Sequence, residues 1–295
     1  MLIAIGVTPG DSGEDALALG GLLAQALSAE VLLVHVHPVG YHYPSPAHVD
    51  AEWEDYLREQ ARAILANAAT TAPNYGIDDA KTYLYGHQSS GVGLIEAAEA
   101  NGADLIVIGS APGSSSGRFQ IGSTADQLLH GSPVPVALAP DYYRGMLPEA
   151  IGRVVVAFQD TDESRASVQE GAKICEAANV PLTLLTILMR HRSYGSRLRT
   201  SGEDQVIAQL TEDAHTQQHA VLTQIPAEVV ANAAVVIGDD AVSATRRYDW
   251  AGDELFVLSS APRGVISRVF LGDMTYKLLR ATPVPAIVLP RNTNL

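Results

Sequence analysis

The sequence predicts a doubly wound α/β protein made of one unit written twice. Two observations carry this. The stretch Leu105–Pro140 aligns without a gap on Leu255–Pro290 at a constant offset of 150, with 13 of 36 positions identical. Within each half, short apolar runs alternate with helix-length amphipathic segments, the pattern of parallel strands covered on both faces. The boundary falls in the Gly- and Pro-containing stretch Tyr142–Pro148, which sets two units, 1–145 and 146–295.

In the first unit, Leu2–Val7 is a continuous apolar run stopped by Pro9-Gly10, as expected for a strand buried on both faces. Asp15–Leu27 is a helix of small residues, and Val31–Val36 is apolar and β-branched. Ala51–Thr70 reads as a polar-faced helix, Lys81–Tyr85 as a short strand, Val92–Ala100 as a helix and Asp104–Ile108 as a buried strand. A Gly/Ser loop then leads into a helix over Ser123–Leu129 and a strand over Val134–Leu138. The second unit repeats the order through Arg153–Ala157, Leu182–Leu188 and Glu254–Leu258, while its middle, Val235–Asp249, is shorter and lacks a clear period. The last strands, Val134–Leu138 and Ala286–Leu289, are flanked by Pro and suit edges that must be covered, so they are expected to pair antiparallel.

Composition narrows the function. Nineteen Lys and Arg against 33 Asp and Glu leave a net charge of −14, which repels phosphate backbones and argues against general nucleic-acid binding. The charge is uneven: residues 1–145 hold 5 basic and 16 acidic side chains, the remainder 14 and 17. A single cysteine, Cys175, excludes a disulfide framework or a Cys-rich zinc site. With no basic leader and no apolar run long enough to span a bilayer, the expected location is the cytoplasm, away from membranes.

The loop after Ile108 carries the chemistry. A Gly-rich segment leaving a parallel strand and entering a helix presents free N–H groups and a positive dipole end, which favour an anion. Gly109 lets backbone approach a ligand, and Gly122-Ser123-Thr124 opens the next helix with two hydroxyls. The ordinary alternative is a flexible loop with a Ser or Thr cap.

The spacing Gly109-x2-Pro112-x9-Gly122-Ser123 resembles the universal stress protein signature G-x2-G-x9-G-[S/T]. LLVHVHP at Leu32–Pro38, EAAEANGADLIVIGS at Glu96–Ser110 and SPVPVALAP at Ser132–Pro140 are also similar to that family. The resemblance covers both halves. It implies flavodoxin-like (adenine nucleotide α hydrolase-like) domains, each a five-stranded parallel sheet of order 3-2-1-4-5, joined through their last strands as an intramolecular pseudo-dimer open to further homo-oligomerisation. It implies ATP or a related adenine nucleotide as ligand, with Mg2+ carried by the nucleotide. The implied site is Thr8 and Pro9 near the adenosine, the Val36 backbone at the adenine edge, Gly109, Ser110 and Gly113 along ribose and phosphate, and Gly122, Ser123 and Thr124 on the phosphates. Pro112 replaces a signature glycine and has no N–H to donate, and Thr8 stands where the family carries an acid. The second repeat departs further: Ser259 replaces the first glycine, Gln159 stands where Thr8 sits, and Asp273 brings a carboxylate to the helix start.

Other signals are weaker. Gly113–Gly117 matches G-x-S-x-G, but its serine lies in a loop well before the helix rather than on a nucleophile elbow. His35, His37, His42, His48 and Asp50 fall within sixteen residues and could converge on a metal; a strand histidine and loop decoration explain them better. His215 and His219 are helical neighbours without a third ligand. The basic stretch Arg190–Arg199 is an anion contact, a partner-docking loop or a solvated loop. No phosphate-loop lysine, carboxylate pair for Mg2+ or positioned base occurs, so at most weak ATPase activity is expected. Three readings follow: a nucleotide-binding protein acting through an unidentified protein partner, an interaction module without a nucleotide, and a slow phosphohydrolase or serine hydrolase.

Overall fold

The computed structural model describes residues 1–39, 50–111, 113, 118–190, 201–260 and 272–290, with backbone alone at 50, 51 and 201–203. The first repeat runs β1 (Leu2–Gly6), α1 (Asp11–Leu27), β2 (Glu30–His37), α2 (Asp50–Thr71), β3 (Ala80–Gly86), α3 (Ser90–Asn101), β4 (Leu105–Gly109), α4 (Ser123–Gly131) and β5 (Val136–Ala139). The second runs β6 (Arg153–Ala157), α5 (Asp162–Ala178), β7 (Leu182–Met189), α6 (Ser201–Leu222), β8 (Ala231–Gly238), α7 (Ala241–Thr245), β9 (Glu254–Ser259), α8 (Asp273–Ala281) and β10 (Ala286–Leu289).

All ten strands form one sheet in the order β3-β2-β1-β4-β5-β10-β9-β6-β7-β8, which is 3-2-1-4-5 read outward-in for each repeat. Pairing is parallel within a repeat, with Ala4 beside Leu32 and Ile106 in the first and Val155 beside Thr183 and Phe256 in the second. The repeats meet where β5 and β10 run antiparallel, Val136 opposite Val288, Ala137 opposite Ile287 and Leu138 opposite Ala286. Ala137 thus faces its own repeat-equivalent, and the pseudo-twofold axis passes through that pair. Each repeat's short apolar last strand is covered by the other's, which removes two exposed edges.

The apolar strand runs bury both faces of the sheet. Ile3, Ile5, Leu33 and Val107 pack under α1 and α2, while Ala4, Leu32, Val34 and Ile106 pack under α3 and α4. Both layers continue through β5 and β10 into the second repeat, where Phe158 and Phe256 are among the largest fully enclosed side chains. Full burial of such a ring contributes about 1.5–3 kcal/mol. Cys175 lies in this core, and burial pushes its thiol up to about 12.

Two elements differ from the sequence expectation. Helix α1 starts at Asp11, four residues before Asp15, because Asp11 and Glu14 complement the dipole of a first turn that has no apolar periodicity. The unparsed middle of the second repeat is strand β8 followed by α7, five residues long where α3 has twelve. Aromatic packing replaces the missing turns: Trp250 lies 4.7 Å from Tyr248 and 5.2 Å from Phe256 between ring centroids.

Candidate functional site

Strand order reverses between β1 and β4, and a crevice opens there beyond the strands' carboxyl ends, the position where open α/β sheets hold ligands. It encloses about 540 Å³. Val7, Val34, Val36, Leu94 and Ile108 supply apolar wall; Thr8, Pro9, Gly10, Asp11, Ser12, His35, Ser90, Ser123 and Thr124 supply the polar and loop-borne part.

Three helices begin at this crevice, and none is capped by a side chain at its N-cap residue: α1 at Gly10, α3 at Ser89 and α4 at Gly122. A helix start leaves up to four N–H groups without intrahelical acceptors, and here three such ends face one volume. Part of the α3 end is met by Gln127, whose Oε1 accepts from Gly91 N–H at 3.0 Å. The Ser90 and Thr124 hydroxyls lie 2.6 Å apart across the mouth, joining the starts of α3 and α4. Gly109 is sterically required: a Cβ there would lie 2.0 Å from the Ser12 carbonyl oxygen, so β4 reaches the start of α1 only without a side chain.

Of the residues expected at a site, Thr8, Pro9, Val36, Gly109, Gly122, Ser123 and Thr124 line this crevice together. Ser110 and Gly113 do not. Ser110 is buried beneath the loop, its Oγ accepting from Gln120 N–H at 2.8 Å beside a backbone bond from Ala111 N–H to the Gln120 carbonyl. Gly113 is exposed in the left-handed region at φ 97°. Pro112 and the serines of the G-x-S-x-G match lie outside the described residues, as do His42, His48 and positions 191–200. Sequence reasoning missed Gly10, Asp11, Ser12 and Ser90 as crevice residues. Their signal was present in Pro9-Gly10-Asp11-Ser12 and Ser89-Ser90-Gly91, small polar starts of the two other helices that follow strands.

His35 has a structural task. Its Nδ1 lies 2.8 Å from the Val7 carbonyl oxygen, and burial, reinforced by His37, pushes its pKa below the ordinary histidine value. Nδ1–H donates to that carbonyl. The second repeat fills this place with Thr186, whose hydroxyl donates to the Phe158 carbonyl at 3.1 Å. His215 and His219 are exposed on α6, and among the described residues no group of three potential ligands is placed to hold a metal. Among those residues, too, no helix is long and apolar enough to cross a membrane.

The matching crevice of the second repeat encloses about 210 Å³. Phe158, Ile187 and Met274 line it where the first repeat has Val7, Val36 and Thr124. Two of its three helix starts are satisfied from within, and α8, like α4, begins at a glycine, Gly272, without a side-chain cap. Thr161 accepts from Ser164 N–H at 3.2 Å, and Asp240 and Ser243 form a reciprocal capping box. The α8 end carries the Asp273 carboxylate, paired to Lys277 at 2.6 Å.

A tandem doubly wound α/β chain with a switch-point crevice in each repeat is the class these features define. The model of the universal stress protein family matches residues 1–140 and again 150–290, and the chain belongs to that family. Universal stress proteins of Mycobacterium tuberculosis and Mycobacterium bovis are each 30% identical to it over a 296-residue alignment, covering 98% of this chain and 100% of the relative. In fold, the chain is similar to a crystal structure of a universal stress protein from Archaeoglobus fulgidus, with a TM-score of 0.70, 16% identity, and 99% and 98% of the two chains covered.

Proposed function

We propose that the first repeat, residues 1–145, binds an adenine nucleotide, ATP above all, and that the chain acts by ligand-dependent interaction with a protein partner rather than by turnover. The second repeat, residues 146–295, is the structural half of the pseudo-dimer. The observation that carries this reading is the convergence of three helix starts on one crevice of about 540 Å³, none capped by its own N-cap residue and only that of α3 met in part by another side chain, Gln127. A polyanion satisfies N–H groups that the protein leaves without a side-chain cap, and the apolar wall of Val36, Leu94 and Ile108 suits a flat base.

In this arrangement Gly122, Ser123 and Thr124 receive the phosphates through backbone N–H and hydroxyl groups. Gly109 provides close backbone approach, Thr8 and Pro9 flank the ribose, and the Val36 backbone meets the base edge. The choice of adenine rests on the family. Magnesium would arrive with the nucleotide; the crevice residues that could reach it are the hydroxyls of Ser12, Ser90, Ser123 and Thr124. The test is direct. Denaturing the purified protein and chromatographing the supernatant should release an adenine nucleotide, and calorimetric titration of stripped protein with ATP should show saturable binding. The absence of both signals would overturn the reading and leave the interaction module.

A further inference from the structure

The segment joining the repeats is docked onto α1. After β5 the chain passes through Tyr142 in the left-handed region, φ 65°, and makes a short 3-10 turn over Tyr143–Gly145. Asp15 of α1, 0% exposed, collects this turn: Tyr142 N–H and Arg144 N–H each donate to its carboxylate at 2.9 Å, and Arg144 Nη1 donates at 3.2 Å. The same guanidinium places Nη2 2.8 Å from Asp11 and Nε 3.5 Å from Glu14.

One linker cation therefore faces all three carboxylates at the start of α1. Those carboxylates complement the helix's own dipole, and for the same reason they oppose any other anion at that end. Asp11 matters most, because it lines the crevice and its side chain is 73% exposed. Asp15 is buried and keeps two backbone N–H donors of its own, so Asp11 and Glu14 are the more exposed charges that Arg144 offsets beside it, Asp11 more closely than Glu14. The second repeat lacks the anchor: Ala166 stands at the position matching Asp15.

We propose that Arg144, a residue of the inter-repeat linker, sets the charge preference of the first repeat's crevice: by holding Asp11 and Glu14 it lets the start of α1 accept the phosphates of a nucleoside polyphosphate. This rests on the nucleotide reading above. It makes Arg144 a positioning residue, acting through Asp11 rather than touching the ligand. The consequence is a split between charged and uncharged ligands, which a purely structural role would not produce.

The experiment is calorimetric titration of the full chain with ATP and, separately, with adenosine. Arg144→Gln should weaken ATP about tenfold and leave adenosine unchanged, with the ATP loss shrinking as salt is raised. Arg144→Lys, which keeps the charge, should retain most of the ATP affinity. Asp11→Asn, an exposed change that keeps the test open if Arg144→Gln does not fold, should tighten ATP about threefold and make a second substitution at Arg144 less damaging. Equal weakening of ATP and adenosine by Arg144→Gln, or unchanged ATP affinity in Asp11→Asn, would overturn the assignment. Wild-type protein that binds neither ligand would overturn the nucleotide reading itself, an outcome distinct from ATP binding that ignores Arg144.

Discussion

At the carboxyl end of the first repeat's sheet, α1, α3 and α4 begin at Gly10, Ser89 and Gly122 with no cap from the N-cap residue itself; at the same end of the second, Thr161 and Asp240 cap their own helices and α8 alone, at Gly272, has none. The strand order is identical in the two halves, and the central strands of both are fully buried. Apart from the shorter α7, the difference at the crevice lies in helix ends and a few side chains. A doubly wound unit can thus keep its fold and its place in a pseudo-dimer while its own side chains occupy the hydrogen-bonding positions a ligand would use. Phe158, Ile187 and Met274 take up the volume, and Asp273 takes the charge.

Moving one feature across the pseudo-twofold axis gives the largest expected effect. Ser123→Asp copies Asp273 into the first repeat and sets a carboxylate where a phosphate would rest. ATP affinity should fall at least about a hundredfold, roughly 2.8 kcal/mol, by titration calorimetry. The reverse change, Asp273→Ser, should create no second site, because the Thr161 and Asp240 caps and Phe158 remain. Unchanged affinity in the first variant, or new binding in the second, would break the comparison.

Next in size is Gly13→Ala. The second repeat carries Ser164 at this position, with its Oγ accepting from Gln159 N–H at 3.0 Å. In the first repeat a Cβ would lie 1.9 Å from the Thr8 carbonyl oxygen. Overpacking of this kind costs about 1–3 kcal/mol, a loss that chemical denaturation would read, and it should disturb the Thr8–Gly10 wall of the crevice. A stability equal to wild type would mean that α1 can shift away from the Thr8 carbonyl at no cost.

The smallest effect is one of pH. Because burial depresses the His35 pKa, the folded chain resists a proton that the unfolded chain accepts near 6.5. Its contribution is therefore present above that value and is lost as pH falls below it. His35→Thr, the second repeat's solution, should retain the bond to the Val7 carbonyl and flatten part of the decline in melting temperature between about pH 7.5 and about pH 5.5. Parallel profiles for the two proteins would show that His35 takes no part.

Much of this architecture was legible in the residues. Leu2–Val7, Val31–Val36 and Asp104–Ile108 read as strands because a sheet buried on both faces needs continuous apolar runs, and the offset of 150 foretold the antiparallel pairing of β5 with β10. Gly109 and Gly122–Thr124 could be placed at the crevice from sequence because the loop that leaves a parallel strand and opens the next helix lies at the carboxyl end of the sheet. The docking of the linker was not. Asp15 sits in a run of small helical residues, and no local pattern says that its carboxylate is buried against a turn 127 and 129 residues away. The aromatic packing of Tyr248, Trp250 and Phe256 that stands in for a longer α7 was hidden similarly, since it depends on which strands become neighbours. Ser110 was read as a ligand contact from its place beside Gly109; strand alternation turns it under the loop instead.

The central claim is that one repeat binds and the other does not, and stoichiometry tests it most directly. Equilibrium dialysis of the stripped full chain against labelled ATP should saturate at one nucleotide per chain, and Ser123→Asp should bring that value to zero. Two equivalent sites per chain, or one site that survives Ser123→Asp, would contradict the account.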